Sequence, residues 1–192
     1  MPSAYHDGAT YDRISAPLER IGREVLERLQ LRGDETVLDA GCGSGRVTAA
    51  LHERLPQGHV IAVDGSAAMI DAAAQRLGED VELLVQDLES LYLGGRRVDA
   101  VLSTAAFHWI ADHARLFANL RGVLRTGGRL VAQCGGTGNT AELLAATQAV
   151  GERAPFGEHL GGWAGPWNFV APEETAARLR DAGFGEIRTW LV

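Results

Sequence analysis

The chain has 192 residues with a formal charge of −7, 46% of them apolar and 22% charged; this suits one domain over residues 1–192 with its own core and excludes disordered and fibrous classes. The negative charge, with no dense arginine run to offset it, excludes nucleic acid as the main partner, because such binding rests on neutralising phosphates. All 18 basic residues are arginine, which removes P-loop nucleotide chemistry and an internal Schiff-base lysine.

Met1–Arg13 is polar, and no apolar run approaches the roughly 18 residues of a bilayer span, so the chain reads as cytoplasmic with no membrane partner. Over residues 11–30, Ile14, Leu18, Ile21, Val25, Leu26 and Leu29 recur at helical spacing until Gly33 and Asp34. Thr36–Ala40 is a short apolar strand running into the turn Gly41–Gly45, and Val47–Leu55 then reads as helix. His59–Asp64 is predicted as strand, Ser66–Leu77 as helix, Val81–Asp87 and Val98–Ser103 as strands, and Asp112–Leu124 as helix. Thr126-Gly127-Gly128 should turn the chain into the strand Arg129–Cys134. Apolar strands alternating with helices predict an α/β fold: a Rossmann-like three-layer sandwich around a mostly parallel sheet.

Past Gly135 the alternation pauses. Thr140–Arg153 reads as helix, but residues 154–171 are rich in Gly, Pro and aromatics, including Phe156, Trp163, Trp167 and Phe169. A stretch of this length inside a domain usually has a task, and it is the candidate substrate loop, expected to share one pocket with residues 103–110. Pro172–Ala182 resumes as helix, stopped by Gly183, and Glu186–Val192 reads as a last strand.

The strongest chemical signal is the strand Val37–Ala40 running into Gly41, Gly43 and Gly45. Glycines there let the backbone turn tightly and approach a ligand that a Cβ would displace. Asp64 ends the next strand, at the distance where a carboxylate can accept both hydroxyls of a ribose. A dinucleotide site wants G-x-G-x-x-G, and the place of its third glycine is held here by Arg46, so a nicotinamide-dependent oxidoreductase is the weaker alternative. Cys42 and Cys134 form neither a disulfide framework nor a C-x-x-C pair, and His108 and His113 are poorly spaced to share a metal, so no metal is expected. Ser44 lacks the nucleophile-elbow spacing.

Asp39–Gly45 (DAGCGSG) resembles the first motif of the class I S-adenosylmethionine-dependent methyltransferases. The similarity continues at Asp64 in VIAVDGS, Asp87 in VQDLESL, Ser103–Ile110 (STAAFHWI) and Leu124–Val131 (LRTGGRLV). Within them, AAFHWIADHARLF and WNFVAPEETAARLRDAGF resemble the trans-aconitate methyltransferase-like group that acts on small acids. The resemblance implies S-adenosylmethionine as cofactor and a small-molecule methyl acceptor. It also implies a place for Asp39 in the cofactor motif, Gly41, Gly43 and Gly45 passing the methionine portion, and Asp64 on the ribose. Asp87 and the Leu88 amide would meet the adenine, Met69 would pack on it, and Ser103 and Ala105 would face the transferable methyl. Tyr11, His108 and Trp109 would line the acceptor pocket, with Tyr5 and His6 on a lid.

An acceptor with a phenol, hydroxyl or amine would need deprotonation, for which His108 is the candidate catalytic base; a carboxylate would need none. A polycarboxylate would call for arginine, and Arg13, Arg20 and Arg115 are the candidates. The family's seventh, antiparallel strand has no counterpart before Val192, so Ile187, Trp190 and Val192 are expected to be partly uncovered, with a homodimer through that edge as one outcome. A non-catalytic cofactor-binding module is the further alternative.

Overall fold

The computed structural model describes residues 16–192 apart from 161 and 164. Tyr5, His6, Tyr11 and Arg13 lie outside the described residues. Helix α1 (Ala16–Glu27) turns Val25, Leu26 and the following Leu29 inward. Strand β1 (Thr36–Ala40) leads through the glycine turn into α2 (Arg46–Glu53). Strand β2 (His59–Asp64) leads into α3 (Ala67–Leu77), where Ser66 is the N-cap and its hydroxyl accepts from the Met69 amide. Strands β3 (Glu82–Val85) and β4 (Val98–Thr104) follow. Helix α4 (His113–Val123) is capped by Asp112, whose carboxylate accepts from the Arg115 amide, and it runs directly into β5 (Leu124–Gln133).

The five strands are ordered β3-β2-β1-β4-β5, and every pair is parallel. Because side chains alternate across a strand, successive residues serve opposite layers. Val37 and Leu102 pack with Val25, Leu26, Leu29 and Leu51 on one face, while Leu38 and Val101 pack with Leu116, Phe117 and Leu120 of α4 on the other. The predicted three layers are present, and the strand order reverses about β1, whose neighbours are β2 and β4. In open α/β sheets that reversal opens a crevice at the carboxyl ends of the strands.

Two elements differ from the sequence reading. Thr126-Gly127-Gly128 is not a turn ahead of β5 but lies inside it, as an irregularity: Val98 pairs with Leu124 and Ala100 with Arg129. Glu186–Val192 is not a strand. Beyond β5 the backbone pairs instead with the segment before the last helix, through the Gly136–Val170 bridge, so the returning chain finds no ladder there. Its hold comes from side chains: Thr189 Oγ1 donates to the Pro172 carbonyl at 2.9 Å, and the Arg28 guanidinium lies 5.0 Å from the Trp190 ring centre. Trp190 and Val192 are exposed and Ile187 is half-buried.

Residues 134–171 carry helix α5 (Ala141–Gly151) and a single turn, α6 (Gly157–Leu160). Helix α7 (Pro172–Asp181) opens with proline in its first turn and packs against α4.

Candidate active site

The crevice is built on the glycine turn. Gly41, Gly43 and Gly45 have φ of 84°, 54° and 78°, a region that L side chains enter at a cost. The Val63 carbonyl accepts from the Gly41 and Cys42 amides at 2.8 and 3.0 Å, fixing the turn to the end of β2. Among the described residues nothing beyond its own chain neighbours stands within 4 Å of where a Cβ on Gly43 would sit, which leaves the backbone there open to an approaching ligand.

Asp64 is the hinge between the two loops that follow β1 and β2. Its Oδ2 accepts from the Gly43 amide and its Oδ1 from the Ser66 amide, each at 2.9 Å. A carboxylate has about four acceptor positions, so capacity remains for hydroxyls of a bound molecule.

Asp39 is only 1% exposed. Its Oδ2 accepts from the Thr48 hydroxyl at 2.7 Å, whereas Oδ1 is enclosed and has no partner among the described residues. Burial pushes this acid up to about 6, against the lowering effect of the Thr48 bond and with a further push from Asp64. A buried polar atom left unpaired is costly and calls for a partner. A cationic group held at the glycine turn would supply one, and with the open backbone at Gly43 these residues fit a ligand carrying an ammonium and a sulfonium. Sequence reasoning named Asp39 and missed Thr48; the only signal was a hydroxyl in the first turn of the helix after the glycines.

The other predicted cofactor residues occupy distinct settings. Asp87 is exposed and caps the short turn Leu88–Ser90 by accepting from the Glu89 amide at 2.8 Å. Met69 and Leu88 are buried, at 4% exposure each, so their side chains offer little surface. Ser103 is fully buried and donates to the Ala40 carbonyl at 2.6 Å, joining β4 to β1 beneath the crevice. Ala105 has a left-handed φ of 55° and donates its amide to the Gln133 carbonyl. A Cβ on Gly41 would lie 2.3 Å from the Ala106 Cβ, which sets residues 105–109 directly against the glycine turn.

Those residues open an aromatic wall. His108 lies 5.2 Å from Trp109 and 5.9 Å from Phe169, and Trp167 stands 5.8 Å from Trp109 and stacks on Phe169 at 5.6 Å. Asn168 clasps the two segments: its amide donates to the His108 carbonyl at 2.8 Å, and its Nδ2 donates to the Ile110 and Ala111 carbonyls. The expected joining of residues 103–110 with the later aromatic stretch thus involves Trp167 and Phe169, while Phe156 and Trp163 are exposed and make no ring contact with this wall. Burial lowers the His108 imidazole below its usual value, with a smaller effect from His113. Of the arginines proposed for an acid acceptor, Arg20 is paired with Glu24 on the exposed face of α1 and Arg115 is exposed on α4; neither is brought to the wall. Among the described residues no group of three or more His, Cys, Asp or Glu could hold a metal ion.

The family model of a methyltransferase domain matches residues 37–128, a span holding the glycine turn, Asp64, Asp87 and the His108–Trp109 pair. The malonyl-[acyl-carrier protein] O-methyltransferase of Geobacter sulfurreducens is 32% identical over 193 residues, covering 98% of this chain and 71% of that protein. The trans-aconitate 2-methyltransferase of an Azoarcus species is 39% identical over 127 residues, covering 66% of this chain and 49% of the relative, so the chain spans about half that enzyme's length. Among solved structures, the S-adenosylmethionine-bound amino pentose methyltransferase CalS10 of Micromonospora echinaspora matches with a TM-score of 0.55 at 28% identity, covering 66% of this chain and 54% of that one.

Proposed function

The chain belongs to the class I S-adenosylmethionine-dependent methyltransferases, and from that premise we propose that it methylates the carboxylate of a small acid. The single observation that carries the cofactor site is the enclosed, unpartnered Asp39 Oδ1 beside a glycine turn open at Gly43. We assign the cofactor's methionine end to the Gly41–Gly45 backbone and Asp39, its ribose to Asp64, and its adenine to the Asp87–Leu88 turn and the edge of Met69. When bound, S-adenosylmethionine supplies a methyl group already activated by the sulfonium. The protein's part is then orientation and exclusion of water. Ser103 and Ala105 fix the end of β4, and His108, Trp109, Trp167 and Phe169 form the wall against which the acceptor lies.

An acid acceptor is supported by what the relatives are named for acting on, trans-aconitate and malonyl-[acyl-carrier protein]. A cytoplasmic setting is supported by the free thiols Cys42 and Cys134, which suit a reducing compartment, and among the described residues no helix is long and apolar enough to cross a membrane. The test is methyl transfer from labelled S-adenosylmethionine to a panel of trans-aconitate, a malonyl thioester, a catechol and an amino sugar. A base-labile ester on one of the acids is expected; transfer to the catechol or amino sugar alone overturns the acid reading.

A further inference from the structure

We propose that His108 serves as a hydrogen-bond donor to the methyl acceptor and not as the base that deprotonates it. The proposal rests on the site reading above, and it selects an acceptor whose attacking atom arrives with a free lone pair.

The argument begins with the backbone. A peptide N–H can only donate, and the Gly135 amide points at His108 Nδ1 from 3.1 Å. Nδ1 must therefore present its lone pair, and the neutral ring carries its single proton on Nε2. Protonating Nδ1 as well would set one N–H against another, which works in the same direction as burial to keep the ring neutral.

The arrangement is built to hold. Gly135 follows the last residues of β5, and a Cβ there would lie 2.5 Å from Phe169 Cε1 and 2.6 Å from Asn139 Nδ2, so the amide is wedged in place. The His108 backbone is held by Asn168 and its ring by Trp109 and Phe169. Nε2, in contrast, has no hydrogen-bond partner among the described residues, and His108 as a whole is only half-buried. That unpaired nitrogen is the protonated one. To accept a proton there, the ring would have to change tautomer and give up the Gly135 bond.

A donor at this position suits an acceptor carboxylate: Nε2–H binds one oxygen and steers the other. That oxygen forms the new bond to the methyl carbon as the carbon–sulfur bond breaks, with the electron pair left on sulfur, and no proton changes hands. A phenol or alcohol would have to lose a proton to a group that is already carrying one.

The first test needs no turnover. In protein labelled with 15N-histidine, a long-range 1H–15N spectrum at neutral pH, assigned with His108→Gln, should show His108 as the Nε2–H tautomer; an Nδ1–H tautomer or a cation overturns the proposal. The second uses trans-aconitate as acceptor, with S-adenosylhomocysteine binding and thermal melts confirming that each variant folds. His108→Gln keeps an amide donor near Nε2 and should retain turnover within about tenfold of the parent, the scale of one hydrogen bond. His108→Asn keeps an acceptor for Gly135 but loses the outward donor, and should fall by at least a further tenfold or so. Equal collapse of both variants indicates a base, and Asn outperforming Gln indicates a purely structural ring; either overturns the donor role. If the parent does not methylate trans-aconitate, it is the acid reading that has failed for this acceptor, and the tautomer spectrum still decides the state of His108.

Discussion

Two carboxylates at opposite ends of β1 are equally enclosed, each 1% exposed, and live in opposite circumstances. Glu35 accepts from Arg129 Nη2 at 2.6 Å and from the Arg32 and Gly33 amides at 2.6 and 3.1 Å. Burial would raise this acid, but those bonds outweigh it and hold the carboxyl below its usual value. Asp39 has one hydroxyl partner and one orphaned oxygen, and its carboxyl is raised to about 6. Complete pairing marks a carboxylate that holds the fold, while incomplete pairing at a crevice marks one that meets a ligand. Arg129 makes the difference concrete, because it also donates to the Leu29 and Gln30 carbonyls and so ties the end of α1 to β1 and β5.

The largest effect should come from breaking the complete end. Arg129→Ala leaves Glu35 buried with only the Arg32 and Gly33 amides and the Arg32 guanidinium at 3.9 Å, and should lower unfolding free energy by about 3 kcal/mol, the low end for a broken buried pair, read by denaturant melts. A loss below about 1 kcal/mol would mean that the pair is only a surface contact. The incomplete end should respond in the reverse sense. Asp39→Asn should leave stability unchanged or slightly raised, because it removes a buried charge, while weakening S-adenosylhomocysteine binding by about 1–3 kcal/mol in isothermal titration.

The pH dependence sharpens the same contrast. The folded Glu35 binds its proton less readily than the unfolded chain does, so its contribution is present above the ordinary carboxylate value of about 4.3 and lost as pH falls through its lower folded value. Asp39 runs the other way: folded at about 6 against about 3.9 unfolded, it favours the folded state at low pH and loses that contribution as pH rises across this window. Melts of the parent and Asp39→Asn between those values should therefore differ, with the variant showing the shallower decline. Parallel curves would remove Asp39 from the account. The smallest effect belongs to the exposed Trp109, where Trp109→Ala removes ring contacts with His108 and Trp167 and should lower stability by about 0.5–1.5 kcal/mol while raising KM for the acceptor.

What the sequence made legible follows from where its signals come from. Apolar runs bounded by Gly41–Gly45, Ser66 and Asp112 place β1, β2, α3 and α4 because each boundary has a local cause: a left-handed backbone or a capping side chain. Glu186–Val192 misled because an apolar run supplies only half of a strand; the other half is a ladder partner, and Val170 already pairs with Gly136 beyond β5. The same limit applies at the site. The glycines and Asp64 announce themselves by spacing, but the Thr48–Asp39 bond, the Gly135 amide on His108 and the Asn168 clasp join residues whose proximity only the folded chain creates. Trp167 and Phe169 were legible as part of an aromatic stretch, yet nothing local separates them from Phe156 and Trp163.

The central claim is that the glycine turn, Asp39 and Asp64 together form a site for S-adenosylmethionine. Its most direct test is isothermal titration of the parent, Asp39→Asn and Asp64→Ala with S-adenosylhomocysteine and with NAD. The account predicts that the parent binds S-adenosylhomocysteine in preference to NAD and that each variant, still folded, binds it at least about tenfold more weakly, the loss expected when a charged acceptor is removed. Preference for NAD, or parent-like affinity in both variants, would contradict it.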